Sequence, residues 1–485
     1  MYQFSNRFRL VTFVLMALGL LGLGYGFLSA PSNVDEAKAM MAAGHDEHGS
    51  GHGDESHQSD AHGEETHEYH LEEAVVAEAG HHEEEGHHEE EGHHEEAGNQ
   101  AHHSSGHGAE QAHGSHDASH DQHMLDQMKN RPWSAFYVAA LFSFLIALGV
   151  LAFYAIQRAS QAGWSPLLFR VMEGITAYLI PGAAILFLFF VLSSMHLNHL
   201  FVWMDADVVA HDKLIQNKSG YLNSPFFLLR ALFFMGGWIF YRQLSRKYSL
   251  AQDLATDDSN FVKNFRWSAG FLAFFLVTES MMSWDWIMSV DPHWFSTLFG
   301  WYVFASFFVS GITTIALVTM YLKSKGYLEI INDSHIHDLA KFMFGISIFW
   351  TYLWFSQFML IWYADIPEEV TYYVMRFENY KVPFFGMLAL NFIFPLLVLM
   401  RSDYKRVNWF IQVTGIVILF GHYMDFFNMI MPGTVGAYWG FGIAELGGIL
   451  FFAGLFLYVI FTALTKTPLT PKRNPLIEES KHFHY

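Results

Sequence analysis

The stretch Thr278-Glu-Ser-Met-Met-Ser-Trp-Asp-Trp-Ile-Met-Ser-Val-Asp-Pro-His-Trp294 joins two halves of the chain that resemble each other. It is mostly apolar and aromatic, yet it contains Glu279, Asp285 and Asp291, with His293 close behind. A carboxylate inside an apolar segment of membrane length is costly, so each of these acids is a candidate functional residue. The Asp-Pro step near the end indicates a turn, which favours Glu279 and Asp285 as the buried acids.

Composition places the chain among multi-spanning membrane proteins. Of its 485 residues, 52% are hydrophobic and 15% are charged, and several apolar runs of about 20 residues match the thickness of a bilayer core. The formal net charge of -20 does not describe the apolar part of the chain, because residues 31–130 alone hold 25 acidic residues against two lysines. The chain has no cysteine, which excludes disulfides, thiolate-held iron–sulfur clusters and the usual attachment of c-type haem.

An all-α integral membrane fold with about ten transmembrane helices is predicted. The spans are approximately 10–30, 134–156, 167–194, 225–241, 267–288, 297–321, 340–362, 383–400, 407–431 and 437–463. Lys and Arg residues favour one alternating set of connections, nineteen against seven, which predicts that both termini are cytoplasmic. The first span could also be a secretory signal, but its length favours a retained helix.

Residues 31–130 form a low-complexity insert, predicted to be disordered and periplasmic because it has almost nothing apolar to bury. It contains 20 of the 29 histidines and repeats the hexapeptide His-His-Glu-Glu-Glu-Gly. Weak, adventitious metal binding is conceivable at the paired histidines of these repeats, and a hydrophilic loop is the favoured interpretation. The paired histidines are His81, His82, His87, His88, His93 and His94.

An internal repeat is visible in the apolar part of the chain. Pro225-Phe-Phe-Leu-Leu-Arg-Ala-Leu aligns with Pro383-Phe-Phe-Gly-Met-Leu-Ala-Leu, and Phe136-Tyr-Val-Ala-Ala with Trp301-Tyr-Val-Phe-Ala. The preserved order of such matches predicts a parallel duplication of a four-helix unit. The predicted organisation is a first helix (1–30), the insert (31–130), two four-helix bundles (131–290 and 291–432), and a last helix with a cytoplasmic tail (433–485).

Polar residues inside the spans suggest a transmembrane proton path. The repeat sets Glu279 opposite His422, and Asp425 lies three residues further on, hence on the same helix face as the histidine. With Asp285 and Glu445 they could relay protons, since their pKa values respond to burial and to neighbouring charges. The alternative is that these groups form interhelical hydrogen bonds that hold the bundles together.

Other kinds of site are disfavoured. His196 and His199 are predicted to lie on one helix at the rim, whereas haem ligation across a bilayer needs histidines on facing helices. The zinc-hydrolase pattern His-Glu-x-x-His, the Walker A motif and Gly-x-Gly-x-x-Gly are absent from the sequence. No resident cofactor and no nucleic-acid partner are therefore expected.

The segment Ser283-Trp-Asp-Trp-Ile-Met-Ser-Val-Asp-Pro-His-Trp-Phe-Ser-Thr-Leu-Phe-Gly-Trp-Tyr302 resembles the ActF family of bacterial alternative complex III, and the similarity extends over nearly all of the second to tenth predicted spans. That family is similar to the NrfD and polysulfide-reductase-type membrane subunits, which implies two four-helix bundles. The resemblance also implies an inner-membrane subunit of a quinol:cytochrome c oxidoreductase that contributes a proton path, with a quinone site as a further expectation.

The same resemblance implies the partners of the chain. These are an Fe–S subunit, a multihaem cytochrome c subunit, the sister subunit ActC and a terminal oxidase, so haem c and the Fe–S clusters are expected on partners. Two alternatives stay open on the sequence alone. The His-rich insert is also compatible with a secondary transporter for metal or other ions, and the whole chain with a purely structural membrane anchor.

Overall fold

The computed structural model describes residues 1–40 and 109–484, and within 109–120 and at 123 it describes the backbone alone. The described residues are all-α, with ten long helices and no strand. The long helices are α1 Asn6–Leu28, α2 Ala109–Ala159, α3 Pro166–Ser194, α4 Ser224–Gln252, α5 Ser259–Trp286, α6 Phe299–Ser324, α7 Asp333–Ala364, α8 Lys381–Leu399, α9 Asn408–Val435 and α10 Ile443–Leu464. The predicted all-α membrane class is confirmed.

Nine of these described helices are long and apolar enough to cross a membrane. The exception is α5, which has 28 residues but is more polar, because Glu279 and Asp285 fall within it. The predicted span at 267–288 is therefore a helix of sufficient length whose apolar character is reduced by its two acids. Each of the ten predicted spans corresponds to one long helix.

The largest differences from the predicted spans are in α2 and α4, and α3 is irregular inside. α2 begins at Ala109, within the insert 31–130, and the paired histidines from His81 to His94 lie outside the described residues. α4 reaches Gln252 instead of ending near residue 241, because its polar last turns contain good helix formers. α3 contains a 3₁₀ turn at Thr176–Tyr178, since Pro181 has no N–H to complete the regular ladder.

The described chain divides into two compact units, residues 1–37 with 122–485 and residues 38–121. Within the larger unit, α2 and α6 are central. Their most apolar 18-residue stretches are 94% and 89% buried, against 22% for α1. Their backbones approach closely at Gly149 and Gly311: a Cβ atom on Gly149 would lie 2.5 Å from the carbonyl oxygen of Phe307. Small residues permit such contacts between membrane helices.

The predicted first helix packs along the last one. α1 lies against α10 through glycines on both helices, and a Cβ atom on Gly22 would lie 2.9 Å from the Cα atom of Gly447. The opposite face of α1 is exposed and apolar, with Leu10, Leu21 and Leu28 among its residues. This arrangement gives α1 a packing role in the membrane part of the protein.

The α1–α10 contact gives a testable prediction. Replacing Gly22 with leucine should overpack the interface and cost about 1–3 kcal/mol, seen as a lower midpoint in the thermal unfolding of detergent-purified protein. Gly24 on the same helix faces open space, so Gly24→Leu is the matched control and should leave the midpoint unchanged. Equal midpoints for the two variants would show that α1 does not depend on this contact.

Candidate functional site

The most buried polar cluster predicted from the sequence lies in the middle of α9. His422 and Asp425 are one turn apart, both with 0% exposure, and 3.6 Å separates the His422 Nδ1 atom from the Asp425 Oδ2 atom. The prediction that they share a face is therefore confirmed. In the described chain the ion pairs of Asp425 include no lysine or arginine, so its charge is balanced only by hydrogen bonds and by the histidine.

Three further helices complete this cluster. From α6, Ser306 lies 2.9 Å from His422 Nδ1 and donates to Asp425 at 2.8 Å, while Tyr302 donates to the other Asp425 oxygen. From α7, the indole N–H of Trp350 donates to Asp425 at 2.8 Å. Hydroxyl and indole donors stabilise the ionised carboxylate and fix its orientation.

α8 approaches the cluster through an irregular turn. Residues Ala389–Ile393 form a π-helical turn just before Pro395, whose missing N–H disturbs the regular ladder. The turn presents the Asn391 amide nitrogen 3.4 Å from His422 Nδ1. The other ring nitrogen of His422, Nε2, is buried without a hydrogen-bond partner among the described residues. Such turns are frequent at functional sites, and this one meets the histidine directly.

Glu279 is buried in α5 but belongs to no interhelical cluster. It is 4% exposed, and its carboxylate accepts from Ser283 at 3.2 Å and from Ser280 at 3.4 Å, both on its own helix. It lies about two turns from the end of α5. The structure places no hydrogen bond between Glu279 and His422, so their equivalence under the repeat stays a prediction.

Asp285 forms an ion pair across two helices. Arg230 of α4 donates to both of its carboxylate oxygens, at 2.6 and 3.0 Å, and both side chains are buried. The guanidinium carbon also lies 3.9 Å from the ring centroid of Tyr221. A bidentate pair of this kind fixes both side chains. The sequence located Arg230 inside α4 but did not assign it to Asp285.

Glu445 has a local structural role in the first turn of α10. It accepts from the backbone N–H of Gly442 at 2.8 Å and pairs with Arg131 of α2 at 3.0 Å. The first contact satisfies a free N–H at the start of the helix, where a negative charge is also favourable. Of the five predicted proton-path residues, the structure brings together only His422 and Asp425.

A second buried ionic network surrounds Glu173. It lies at the other end of α4 from the Arg230–Asp285 pair. Glu173 of α3 accepts from Arg170 at 2.9 Å and from the hydroxyl of Tyr154 at 3.1 Å, and Arg158 approaches it at 3.7 Å. Arg170 also pairs with Asp253 at 2.6 Å. These contacts join α2, α3 and the end of α4, so Glu173 has a structural role in holding these helices together.

His196 and His199 follow the end of α3 instead of lying on it, so their predicted helical placement was wrong. α3 ends at Ser194, and His196 has a left-handed backbone with φ of 58°. Both rings nevertheless turn to Asp205, at 3.3 and 2.7 Å. Among the side chains that the structure describes, no group of three His, Asp or Glu residues is placed to hold a metal ion.

No protein-family model matches this chain, and no curated protein matches it either. The cluster around Asp425 and the resemblance in residues 283–302 are the two features of the chain that point to a function.

Proposed function

We propose that this chain is an integral membrane subunit of a quinol-oxidising respiratory complex of the alternative complex III type, in which it contributes a transmembrane proton path. One observation carries the proton role: His422 and Asp425 are fully buried at the middle of α9, among donors from α6 and α7. Ionisable groups at membrane depth are costly to keep and mark ion and proton pathways. The respiratory context is supported by the resemblance of residues 283–302 to that family.

The cluster has the parts needed to hold and pass a proton. Three donors face the oxygens of Asp425, and Ser306 bonds to both Asp425 and His422. A hydroxyl between a carboxylate and an imidazole can donate to one group while accepting from the other. The unpartnered Nε2 atom of His422 offers a second point of exchange on the other side of the ring.

The five predicted residues divide into two groups by their partners. Among the described residues, Glu279, His422 and Asp425 have no arginine or lysine partner, whereas Asp285 and Glu445 each pair with an arginine. An arginine partner fixes the position of the carboxylate through charge-assisted hydrogen bonds, which favours a structural role. The unpaired three are therefore the preferred residues of the proposed path, and a structural role is favoured for the other two.

The subunit proposal is tested by purification from native membranes. A tagged chain should co-purify with Fe–S and multihaem proteins and with quinol oxidation activity, as expected for a respiratory subunit. A secondary transporter would instead retain transport activity after purification alone. A chain that purifies alone and transports an ion in vesicles would overturn the proposal.

The proton role is tested in the assembled complex. Glu279→Gln and His422→Phe should lower proton translocation per quinol oxidised by roughly tenfold or more, because each removes a group that can exchange a proton. Glu329→Gln, outside the membrane helices, serves as the control. Normal assembly with unchanged coupling in both site variants would show that the chain is a structural anchor.

A further inference from the structure

A cleft of about 520 Å³ opens beside the end of α5, which the chain leaves after Trp286. Its walls come from residues 217–222, between the short helix Lys213–Lys218 and α4, and from residues 284–295. The volume falls in the range of small-molecule sites. The positive-inside distribution predicts that this end of the protein faces outward.

One wall of the cleft carries a cation without a close anion. The Lys218 ammonium donates to the carbonyl oxygen of Pro292 at 2.5 Å and lies 5.5 Å from the ring centroid of Phe295. It forms no ion pair within 4 Å in the described chain, and an ammonium group has three protons to donate. Burial lowers the pKa of Lys218, partly offset by the charges of Asp291 and Asp212.

The same cleft carries an anion. Asp291 lines it, and its carboxylate forms no hydrogen bond or ion pair within 4 Å with any described residue. The other nearby carboxylate, Asp212, is already held 2.5 Å from His293. Trp284 and Trp294 also line the cleft, and Trp294 is only 4% exposed.

The residues around the cleft are apolar, and the aromatic ones at its rim are exposed on the protein surface. Leu222 and Met288 form part of its wall, and Phe295 at its rim is 58% exposed. Nearby Trp301 at the start of α6 is 48% exposed. Exposed aromatic side chains at helix ends are typical of the level of lipid headgroups.

We propose that this cleft binds the phosphoethanolamine headgroup of a membrane phospholipid. The phosphate is held by Lys218, and the ammonium of the headgroup by Asp291. A zwitterionic headgroup carries both a negative and a positive charge. It is therefore complementary to a cleft in which an ammonium and a carboxylate lie without pairing with each other. The acyl chains run along Leu222, Met288 and Phe295 into the bilayer. Basic pockets beside membrane helices are known to bind lipid headgroups.

The binding site is tested by titrating the full-length chain, purified in detergent, with three probes while tryptophan fluorescence is recorded. The probes are dihexanoyl phosphatidylethanolamine, dihexanoyl phosphatidylglycerol and inorganic phosphate. Wild-type protein should bind the ethanolamine lipid more tightly than the glycerol lipid and should not respond to phosphate. A tight response to phosphate alone, or a preference for phosphatidylglycerol, would overturn the proposal.

Two substitutions separate the two ends of the headgroup. Lys218→Gln should weaken binding of both lipids by about tenfold, equivalent to about 1.4 kcal/mol. Asp291→Asn should remove the preference for the ethanolamine lipid and leave binding of the glycerol lipid intact. Lys213→Gln, on the same short helix as Lys218, and Asp207→Asn, on the preceding short helix Ala206–His211, change exposed residues and are the matched controls.

Helicity and thermal midpoint, measured on each variant, show whether it is folded before binding is compared. If folded Lys218→Gln and Asp291→Asn proteins bind as wild type does, the headgroup is not held in this cleft. Because assembly and proton coupling play no part in the measurement, its outcome is independent of the proposed respiratory function.

Discussion

Replacing Arg230 with leucine is expected to lower the free energy of unfolding by about 3–5 kcal/mol, the largest stability effect of any single substitution considered. The substitution leaves Asp285, which is 0% exposed, with an uncompensated charge in an apolar interior. The substitution also removes the contact of the Arg230 guanidinium with the ring of Tyr221 and its hydrogen bond to the Tyr221 carbonyl at 3.0 Å. Thermal unfolding of detergent-purified protein measures the loss.

The double variant Arg230→Leu/Asp285→Leu separates pairing from packing. Removing both charges should restore most of the lost stability, because the buried charge is then gone and two apolar side chains fill the space. Lys247→Leu, an exposed position on the same helix, is the control and should leave stability unchanged. A double variant no more stable than Arg230→Leu would contradict a role of Arg230 in neutralising Asp285.

The ten helices could be predicted because each depends on a local property of the sequence. Apolar runs of membrane length form helices wherever they occur, since the backbone must satisfy its own hydrogen bonds in a bilayer. The prediction missed the polar ends of two helices. The last turns of α4, ending at Gln252, and the start of α2 at Ala109 contain few apolar residues, so hydrophobicity alone could not place them.

The site was predictable only where its residues are close in sequence. The three-residue spacing of His422 and Asp425 is sufficient to place them on one face. Tyr302 and Trp350 lie 123 and 75 positions from Asp425, and their contact depends on how each helix is rotated about its axis. Tyr302 did fall in a segment matched by the repeat and at the end of segment 283–302, and these two sequence signals could have drawn attention to it.

The two halves carry similar arginine arrangements near the same predicted side of the membrane. Arg230 lies over Tyr221 and bonds to Asp285 of α5, while Arg376 lies 3.3 Å from the ring centroid of Tyr372 and donates to the backbone carbonyl of Asn428 of α9 at 2.9 and 3.1 Å. The carboxylate of the first half is thus replaced by a carbonyl in the second. The repeat sets Arg230 opposite Leu388 and not opposite Arg376, so these contacts do not test the duplication, which stays a prediction. Under the duplication, Asp285 has a structural role in the first half. The second half has its buried carboxylate deeper in the membrane, at Asp425.

Asp425→Asn is expected to have the largest effect on proton coupling. Asparagine has nearly the same volume as aspartate but cannot take up a proton in this range, and its amide group would face the donors Tyr302, Ser306 and Trp350. In the assembled complex, translocated protons per quinol should fall by roughly tenfold or more, while assembly persists. The ratio of proton release to quinol oxidised in membrane vesicles measures this.

A matched control and a double variant decide whether the effect belongs to a path. Thr414→Val removes a buried hydroxyl on the same helix that has no hydrogen-bond partner in the described part of the chain, so coupling should be unchanged. Groups that act in one path show strongly non-additive effects, so His422→Phe/Asp425→Asn should be no worse than the more damaging single change. Fully additive losses would mean that the two residues act separately. Normal coupling in Asp425→Asn would leave the cluster with the role of joining α6, α7 and α9, because its hydrogen bonds would then serve packing alone.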